Sequence, residues 1–283
     1  MYEHYFGLQE SPFGLTPDTR FFVPASSHAQ AFETLRVTLQ NREGFIKLTG
    51  EVGTGKTLLC RCLLNDLSAH WVTTYIHNPN FSPAGLYRSI LDDLGETVKG
   101  IQSSHRLLQR LNALLLSLAL ADKRVVVLID EAQAMPDETL EALRLLTNLE
   151  TESRKLLQVI LLGQPELDRK LDQPHLRQLR QRIAFSQRLL PLGLEDVRGY
   201  IEHRLRVAGC QNSGLFTPAA IRALHRSSRG VPRLVNILAH KALLVAFGKG
   251  ASSIEARFIM RAAEDTESAR RLPLVWGLLA GWG

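Results

Sequence analysis

Short apolar stretches alternate with longer amphipathic segments along the first two thirds of this 283-residue chain. The strand-like stretches cover residues 45–49, 71–77, 125–129 and 156–162, and residues 184–189 form a weaker one that also contains polar residues. Residues 125–129 are all apolar and mostly β-branched, which is typical of a strand buried on both faces of a parallel sheet. Between the stretches, apolar residues recur at helical spacing. Strands that alternate with helices in this way predict an open α/β sheet.

The pattern changes at both ends of this region. The N-terminal part is rich in loop-forming and aromatic residues, and we expect Phe13, Phe21 and Phe22 to pack on the body of the protein. After residue 192 the strand-like stretches stop, and helices are predicted at about 194–208, 217–228, 232–247 and 254–264. The predicted organisation is a strap with the first helix (1–40), a three-layer αβα core with a parallel sheet (41–192), a smaller all-helical lid (193–268) and an apolar tail (269–283).

A glycine-rich loop follows the first predicted strand and precedes a predicted helix. Residues 50–57 fit the pattern G-x-x-x-x-G-K-[ST]. Glycines let the backbone curl around a polyphosphate with its N–H groups pointing inward, and the helix N-terminus adds a favourable dipole. Lys56 is expected to reach the β- and γ-phosphates, and the Thr57 hydroxyl to bind Mg²⁺. The predicted nucleotide-binding residues are Gly50, Glu51, Val52, Gly53, Thr54, Gly55, Lys56, Thr57 and Leu58.

An acidic pair, Asp130 and Glu131, directly follows the apolar stretch 125–129. Open α/β sheets bind their ligands at the carboxyl ends of the strands, so both carboxylates are expected beside the glycine loop. Asp130 is predicted to hold Mg²⁺, directly or through water, and Glu131 to polarise the water that attacks the γ-phosphate. The alternative is an acidic pair that caps a helix. The glycine loop favours the hydrolytic interpretation.

Two polar residues at predicted strand ends are further candidates. Gln164 follows the fourth stretch, where it would orient a water near the γ-phosphate. Asn78 follows the second stretch, where it would hold Glu131 in an inactive orientation. Each of them is equally compatible with a residue that simply closes a turn.

Arginines occupy two informative positions. Arg177, Arg180 and Arg182 lie just before the last predicted strand, where one of them would serve as a finger that reaches the ATP of a neighbouring subunit. The alternative is a solvated basic helix face. Arg233 follows Gly-Val-Pro at the start of a helix in the lid, where it would reach the γ-phosphate and couple hydrolysis to lid motion.

Taken together, these motifs resemble the AAA+ ATPases, in which a glycine loop, an Asp-Glu pair, a polar strand end, arginines and a Gly-x-Pro-Arg turn follow one another. Three further stretches are similar to the ExeA/GspA family of secretion and pilus-assembly ATPases. They are Pro-Phe-Gly-Leu-Thr-Pro-Asp at 12–18, the glycine loop with its preceding threonine at 49–57, and Gly-Gln-Pro-Glu-Leu at 163–167. The likeness covers about residues 1–265.

The resemblance implies an ATP hydrolase with a P-loop fold that requires Mg²⁺. The residues it implies in ATP binding and hydrolysis are Lys56, Thr57, Asp130 and Glu131. It places Gln164 where the family has its first sensor and Arg233 at the second sensor. For the finger it favours Arg182, with Arg180 second, because Gln-Arg-Ile precedes the last strand.

The resemblance also implies a process and a location. Members of this family use ATP turnover to drive assembly of an envelope machine. We therefore expect a protein that acts on a pilus or a type II secretion-like assembly, such as the mannose-sensitive haemagglutinin pilus. We expect a homo-oligomer with trans-acting fingers, located in the cytoplasm and peripheral to the inner membrane.

The charge of the chain leaves a second function open. The net charge of +6 and the pI near 9.4 permit contact with nucleic acid or anionic lipid. A DNA-binding ATPase similar to replication-initiator or transposition ATPases is the alternative, with Arg222, Arg226 and Arg229 near a possible recognition helix. The absence of a separate winged-helix module after the lid argues against it.

The three cysteines and nine histidines show no zinc-type spacing, and free thiols suit a reducing compartment.

The last residues differ in composition from the lid. Arg270 and Arg271 precede an apolar run at 272–283 that contains Trp276 and Trp282. Twelve residues are too few to cross a bilayer, which takes about 20. Tryptophans with a basic flank suit a membrane interface, and we expect the tail to contact a membrane surface. The alternatives are a tail that docks on the protein itself and the beginning of a longer spanning helix.

Overall fold

The computed structural model describes residues 2–23, 26–147, 155–212 and 214–272. Contacts within the chain define two compact units. The sheet unit comprises Gln30–Val52 and Leu59–Leu189. The helical unit comprises Met1–Ala29, Gly53–Leu58 and Leu190–Gly283. The segment boundaries expected from the sequence, at 40, 192 and 268, stay a prediction.

The sheet unit contains a five-stranded parallel sheet. Its strands are β1 (Phe45–Gly50), β2 (Trp71–Ile76), β3 (Arg124–Ile129), β4 (Leu157–Gly163) and β5 (Ile183–Leu189). They lie in the order β2-β3-β4-β1-β5, and every pairing is parallel. All five predicted strands are present, and the predicted parallel sheet is confirmed.

The burial of each strand follows from its place in the sheet. β3 and β4 are interior strands, and the side chains of Val127 and Val159, which are partners in the register, are fully buried. β5 pairs only with β1, at the edge of the sheet, and Phe185 is 39% exposed. An interior strand of a parallel sheet is covered on both faces, which explains why its residues are apolar without alternation.

Helices connect the strands because parallel neighbours need a crossover connection. In the sheet unit they are α2 (Ser26–Gln40) from its second turn, most of α3 (Lys56–Asp66), α4 (Pro83–Asp93), α5 (Ser104–Leu120), α6 (Asp137–Leu146), α7 (Pro165–Leu171) and α8 (Arg177–Arg182). α5 begins at Ser104 because the Ser103 side chain accepts a hydrogen bond from the backbone of Arg106 and caps the helix. Its leucines recur at helical spacing in a run too short for a zipper, which predicts core packing, and Leu107, Leu111 and Leu115 are fully buried.

The helical unit is built from α9 (Leu194–Val207), α10 (Pro218–Ser228), α11 (Pro232–Gly248) and α12 (Ala256–Glu264), with the short α1 (Tyr2–Tyr5). All four predicted lid helices are present. The Thr217 side chain caps α10 by accepting a hydrogen bond from the backbone of Ala220, as Thr-Pro at this position predicts.

The N-terminal strap belongs to the core of the helical unit. Phe13 and Phe21 are buried there, and Phe13 makes an edge-to-face contact with Phe216. The buried Arg204 guanidinium donates to the carbonyl oxygens of Pro12 and Gly14. The strap is thus held by hydrogen bonds as well as by aromatic packing.

Two predictions from the sequence fall partly outside the described residues. The sequence after Pro136 predicts a helix to about residue 149, and this predicted end lies in the interval 148–154. The apolar tail is described only as far as Leu272, so its expected membrane contact also lies outside the described residues. In the part of the chain that the structure describes, no helix has the length and hydropathy needed to cross a membrane.

Candidate functional site

The glycine loop, residues 50–57, runs from the end of β1 into the first turn of α3. Gly53 and Gly55 have φ angles of +80° and +94°, a region that residues with a Cβ atom rarely adopt. Lys56 is the first residue of α3 and is 6% exposed. The strand, loop and helix that the pattern predicts are therefore present, and this backbone geometry suits an anion.

A histidine that the sequence analysis did not single out supports the loop. His28 lies in the first turn of α2, and its Nε2 atom is 2.7 Å from the Thr54 carbonyl oxygen. A carbonyl oxygen only accepts, so Nε2 carries the proton and Nδ1 does not need one. Burial lowers the pKa of this imidazole, which keeps it neutral. His28 therefore holds the loop as a neutral hydrogen-bond donor.

The first turn of α11 also contacts the loop. The Arg233 backbone N–H donates to the Gly53 carbonyl oxygen at 3.2 Å. A Cβ atom at Gly53 would lie 2.6 Å from the Arg233 Cβ atom. Glycine is required here twice, for its positive φ angle and for this close approach. Arg233, the predicted second sensor, is thus placed against the loop through its backbone, and its side chain is exposed.

The turn before α11 is held by a backbone hydrogen bond and by close packing against Leu192. Gly230 has a φ angle of +73°, and its carbonyl oxygen accepts a hydrogen bond of 2.8 Å from the Leu192 backbone N–H. A Cβ atom at Gly230 would lie 2.1 Å from the Leu192 carbonyl oxygen, which excludes any side chain. Pro232 then starts the helix at a position where its missing N–H costs nothing. The Gly-x-Pro-Arg pattern is therefore a structural requirement of this turn.

Asp130 and Glu131 lie at the carboxyl end of β3, in the sheet unit. The Tyr75 hydroxyl donates to Asp130 Oδ2 at 2.7 Å, and the Glu131 backbone N–H donates to Asp130 Oδ1 at 2.9 Å. Asp130 is only 7% exposed. Both oxygens of this carboxylate are therefore oriented by neighbours, a common arrangement for a carboxylate that orients a metal or water.

Glu131 is held by two amide side chains. The Gln164 side-chain N–H₂ group donates to Glu131 Oε2 at 2.9 Å, and that of Gln133 donates to the same oxygen. The Gln133 side-chain oxygen in turn accepts from the Gln164 backbone N–H at 3.1 Å. Glu131 has a φ angle of +51°, a left-handed conformation that is uncommon for a non-glycine residue. The three residues form one connected cluster.

This cluster partly differs from the sequence-based expectation. Gln164 lies beside Glu131, as its position at the end of β4 indicates. Asn78, the expected partner of Glu131, is exposed and forms no hydrogen bond with it in the described structure; Gln133 takes that place. Gln133 follows Glu131 by two positions on a 3₁₀ turn, and nothing in its local pattern distinguishes it from a surface glutamine. Tyr75 was missed because its role depends on β2 pairing with β3.

The three finger candidates are exposed and differ in their partners. Arg180 pairs with Asp172 at 2.8 Å. The guanidinium groups of Arg177 and Arg182 form no hydrogen bond or ion pair with any described residue. Arg182 is the last residue of α8 and directly precedes the edge strand β5. Among the described residues, none of the three forms a hydrogen bond or an ion pair with Glu131.

The described residues contain no group of three or more metal-type ligands. That finding is compatible with the predicted cation, because Mg²⁺ is commonly bound through one or two protein oxygens together with waters and substrate phosphates. The Asp130 carboxylate and the Thr57 hydroxyl are both hard oxygen donors of the type that Mg²⁺ prefers. The donor chemistry present in the chain thus fits this ion.

Comparisons with known sequences give one family match and one curated relative. A family model described as an AAA domain matches residues 39–171. The general secretion pathway protein A of Aeromonas hydrophila is 44% identical over 270 residues, which cover 95% of this chain and 49% of that protein. The chain thus spans about half the length of the curated relative that it matches.

Comparisons with solved structures concern the fold alone, since their identities are low. The ORC2 protein of Aeropyrum pernix aligns with a TM-score of 0.67 at 16% identity and covers 91% of this chain and 73% of that one. Cdc6p from Pyrobaculum aerophilum aligns with a TM-score of 0.67 at 17% identity, with coverages of 90% and 70%. RuvB from Thermotoga maritima aligns at 0.54 and 16%, with coverages of 84% and 66%. The predicted fold class is confirmed.

Proposed function

We propose that this chain binds and hydrolyses ATP with Mg²⁺. Its AAA+ P-loop fold, the AAA-domain model that matches residues 39–171 and its similarity to general secretion pathway protein A support this proposal. The observation that carries this proposal is the glycine loop. Two glycines with positive φ angles lead from a parallel strand directly into a helix whose first residue is Lys56. This geometry suits the phosphates of a nucleotide.

In this proposal the loop binds the nucleotide and α3 supplies two side chains. The backbone N–H groups of residues 50–58 surround the phosphates, and the Lys56 ammonium neutralises charge on the β- and γ-phosphates. The Thr57 hydroxyl and the Asp130 carboxylate hold Mg²⁺, which when bound neutralises charge that develops on the phosphates. Tyr75 keeps the Asp130 carboxylate oriented for that role.

Glu131 is the proposed base that accepts a proton from the attacking water. In the described structure both amides donate to its Oε2 atom, so this oxygen is engaged by Gln133 and Gln164. We interpret this as a resting arrangement from which the carboxylate has to be released before it can orient water. After release, Gln164 would contact that water or the γ-phosphate in the proposed role of a first sensor.

Two arginines complete the proposed mechanism. Arg233 acts as the second sensor, and the hydrogen bond from its backbone to Gly53 supports this role because it ties the start of α11 to the glycine loop. Arg182 of one subunit acts as the finger on the ATP of the next subunit in a homo-oligomer, with Arg180 as the second candidate. The guanidinium of Arg182 is exposed and unpaired among the described residues, whereas Arg180 has Asp172 as a partner.

We further propose that ATP turnover drives assembly of a pilus or a type II secretion-like machine at the inner membrane, from the cytoplasmic side. The curated relative is named for the general secretion pathway, and its identity of 44% supports this choice. Within this group, we propose a role like that of the MshM protein of mannose-sensitive haemagglutinin pilus biogenesis. The likeness to ORC, Cdc6 and RuvB structures concerns the fold and carries no argument for DNA binding.

The test is to separate nucleotide binding from hydrolysis. We expect Lys56→Ala to abolish ATP binding, measured with a fluorescent ATP analogue. We expect Glu131→Gln to retain binding and to lose turnover by at least about 100-fold, the effect of removing a general base. Glu138→Gln, at an exposed position of α6, is the matched control and should hydrolyse ATP at the normal rate. Normal turnover by Glu131→Gln would show that the base is assigned wrongly.

A further inference from the structure

α10 carries a row of exposed arginines on one side. Arg222 and Arg226 are four positions apart, which places them on the same face of α10, and Arg229 follows directly after the last residue of the helix, with a φ angle of +54°. All three side chains are exposed. The opposite face is apolar, with Ile221 and Leu224 buried in the core of the helical unit. The helix therefore presents its basic face to solvent.

Two more arginines are brought to the end of this row by the fold. The Arg270 backbone N–H donates to the Ser227 carbonyl oxygen in the last turn of α10 at 2.9 Å. Ala269, which precedes it, is buried in the same core, and its N–H donates to the Thr266 carbonyl oxygen. Arg270 and the adjoining Arg271 are both exposed. The five side chains, Arg222, Arg226, Arg229, Arg270 and Arg271, are referred to below as the arginine surface.

The arginine surface differs from the paired cations of the helical unit. Several exposed arginines of that unit pair with carboxylates, as in Arg257 with Glu255 at 2.9 Å and Arg261 with Glu264 at 3.0 Å. Among the described residues, by contrast, the guanidinium groups of Arg222, Arg229, Arg270 and Arg271 form no ion pair. Uncompensated guanidinium groups held on one side of a domain produce a local positive field that attracts an extended anion.

Guanidinium groups bind phosphate oxygens through two parallel hydrogen bonds, and several of them in a row suit an array of phosphates better than a single one. Lipid headgroups and nucleic acid both offer such an array. The sequence beyond Arg271 distinguishes them, because residues 272–283 contain no charged side chain and include Trp276 and Trp282. Basic residues followed directly by an apolar, tryptophan-containing run are typical of a bilayer interface.

We propose that the arginine surface binds the phosphate headgroups of an anionic lipid bilayer. The arginines of α10 and of the segment after α12 lie together because of the hydrogen bond between Arg270 and Ser227, so lipid binding depends on the folded helical unit rather than on the tail alone. This binding is independent of ATP hydrolysis. It gives the protein a defined side that faces the membrane.

The experiment is co-sedimentation of the full chain with vesicles of phosphatidylglycerol and phosphatidylcholine, compared with vesicles of phosphatidylcholine alone. We expect tighter binding to the anionic vesicles, and we expect that preference to weaken with rising salt. Removing three arginines from the surface, as Arg222→Gln, Arg226→Gln and Arg229→Gln together, should weaken binding to anionic vesicles on the order of 100-fold, since each cation near the surface contributes about 1 kcal/mol.

The matched control removes three other arginines of the same unit, as Arg198→Gln, Arg257→Gln and Arg261→Gln together. These side chains pair with Glu195, Glu255 and Glu264. We expect the control to bind anionic vesicles as the wild type does. Equal losses in both triple variants would overturn the proposal, because they would reflect net charge alone. So would equal binding of wild type to both kinds of vesicle.

A second arm tests nucleic acid. If the wild type shows no preference for anionic vesicles and instead binds duplex DNA, with the α10 variant losing that binding, the surface is a nucleic-acid site and the lipid proposal is wrong. ATP hydrolysis is measured in solution in every sample. Normal hydrolysis by both triple variants shows that they are folded. It also keeps a failure of lipid binding distinct from a failure of the proposed ATPase.

Discussion

The Arg233 backbone N–H donates a hydrogen bond of 3.2 Å to the carbonyl oxygen of Gly53, which links the first turn of α11 to the middle of the glycine loop. The Cβ atom of Arg233 lies so close that a Cβ atom at position 53 would be only 2.6 Å from it. A change in the loop on nucleotide binding therefore has to be accommodated by the start of α11. This contact couples the conformation of the loop to the position of the first turn of α11.

The first prediction concerns the loop itself. Gly53→Ala places a Cβ atom at a φ angle of +80° and against Arg233. We expect ATP binding to be lost and the free energy of unfolding to fall by about 1–2 kcal/mol from the left-handed backbone alone. Urea unfolding and a binding assay measure the two effects. Gly199→Ala is the control, because Gly199 lies in α9 with open space around it, and alanine should stabilise that helix by about 0.5–1 kcal/mol. Wild-type stability of Gly53→Ala would contradict the prediction.

The second prediction concerns pH. Burial lowers the pKa of His28, although the Thr54 carbonyl and the Asp196 carboxylate act in the opposite direction. The unfolded chain binds a proton at His28 near the usual pKa of 6.5, whereas the folded chain does so only at lower pH. Unfolding therefore takes up a proton in this window, and stability falls as the pH drops below about 6.5, by at most about 1.4 kcal/mol per pH unit.

The measurement for His28 is urea unfolding of the wild type and His28→Gln at pH 7.5 and 5.5. Glutamine does not titrate, so we expect the difference in unfolding free energy between the two proteins to shift in favour of His28→Gln at the lower pH. Other histidines titrate in both proteins and cancel in this comparison. A difference that is the same at both pH values would show that His28 is not held neutral by the fold.

The third prediction separates the two amides that bind Glu131. If the cluster is a resting arrangement, Gln133→Leu removes one donor from the carboxylate and should raise basal ATP hydrolysis by about tenfold or more, since a hydrogen bond to a charged group contributes about 1.5–3 kcal/mol. Gln164→Leu should lower turnover, because the proposed contact with water or the γ-phosphate is lost. Gln109→Leu, at an exposed position of α5, serves as the control. Slower hydrolysis in Gln133→Leu would mean that this residue supports catalysis instead.

The fourth prediction tests the finger. We expect Arg182→Ala to lower turnover by about 10³-fold or more, as removal of such an arginine does in other phosphate-transferring systems. Arg180→Ala should have a smaller effect. Mixing Arg182→Ala subunits with Glu131→Gln subunits should restore part of the activity, because some neighbouring pairs then combine an intact base with an intact finger. Mixtures that stay inactive, although they co-assemble, would exclude a finger that acts between subunits.

Several features follow from the sequence alone, and they are local. The strand-loop-helix at residues 45–66 and the acidic pair after β3 were predictable because each depends on neighbours within a few positions of the chain. The unbroken apolar run of β3 indicates burial on both faces of the strand, and the glycines of the loop indicate positive φ angles. The four helices of the lid were predictable for the same reason, since caps and apolar spacing act within one or two turns.

The tertiary structure decided which distant residues meet. His28 donates to Thr54, Gln133 and Gln164 converge on Glu131, and Arg270 joins the end of α10 at Ser227. Apart from the position of Gln164 at a strand end, local spacing does not indicate these contacts, because the identity of a glutamine, a histidine or an arginine does not show which residue its side chain or backbone later contacts. Which of them become partners depends on strand order, on the crossing of helices and on where each turn directs the chain. Those are properties of the packed molecule, set by the burial of its apolar faces.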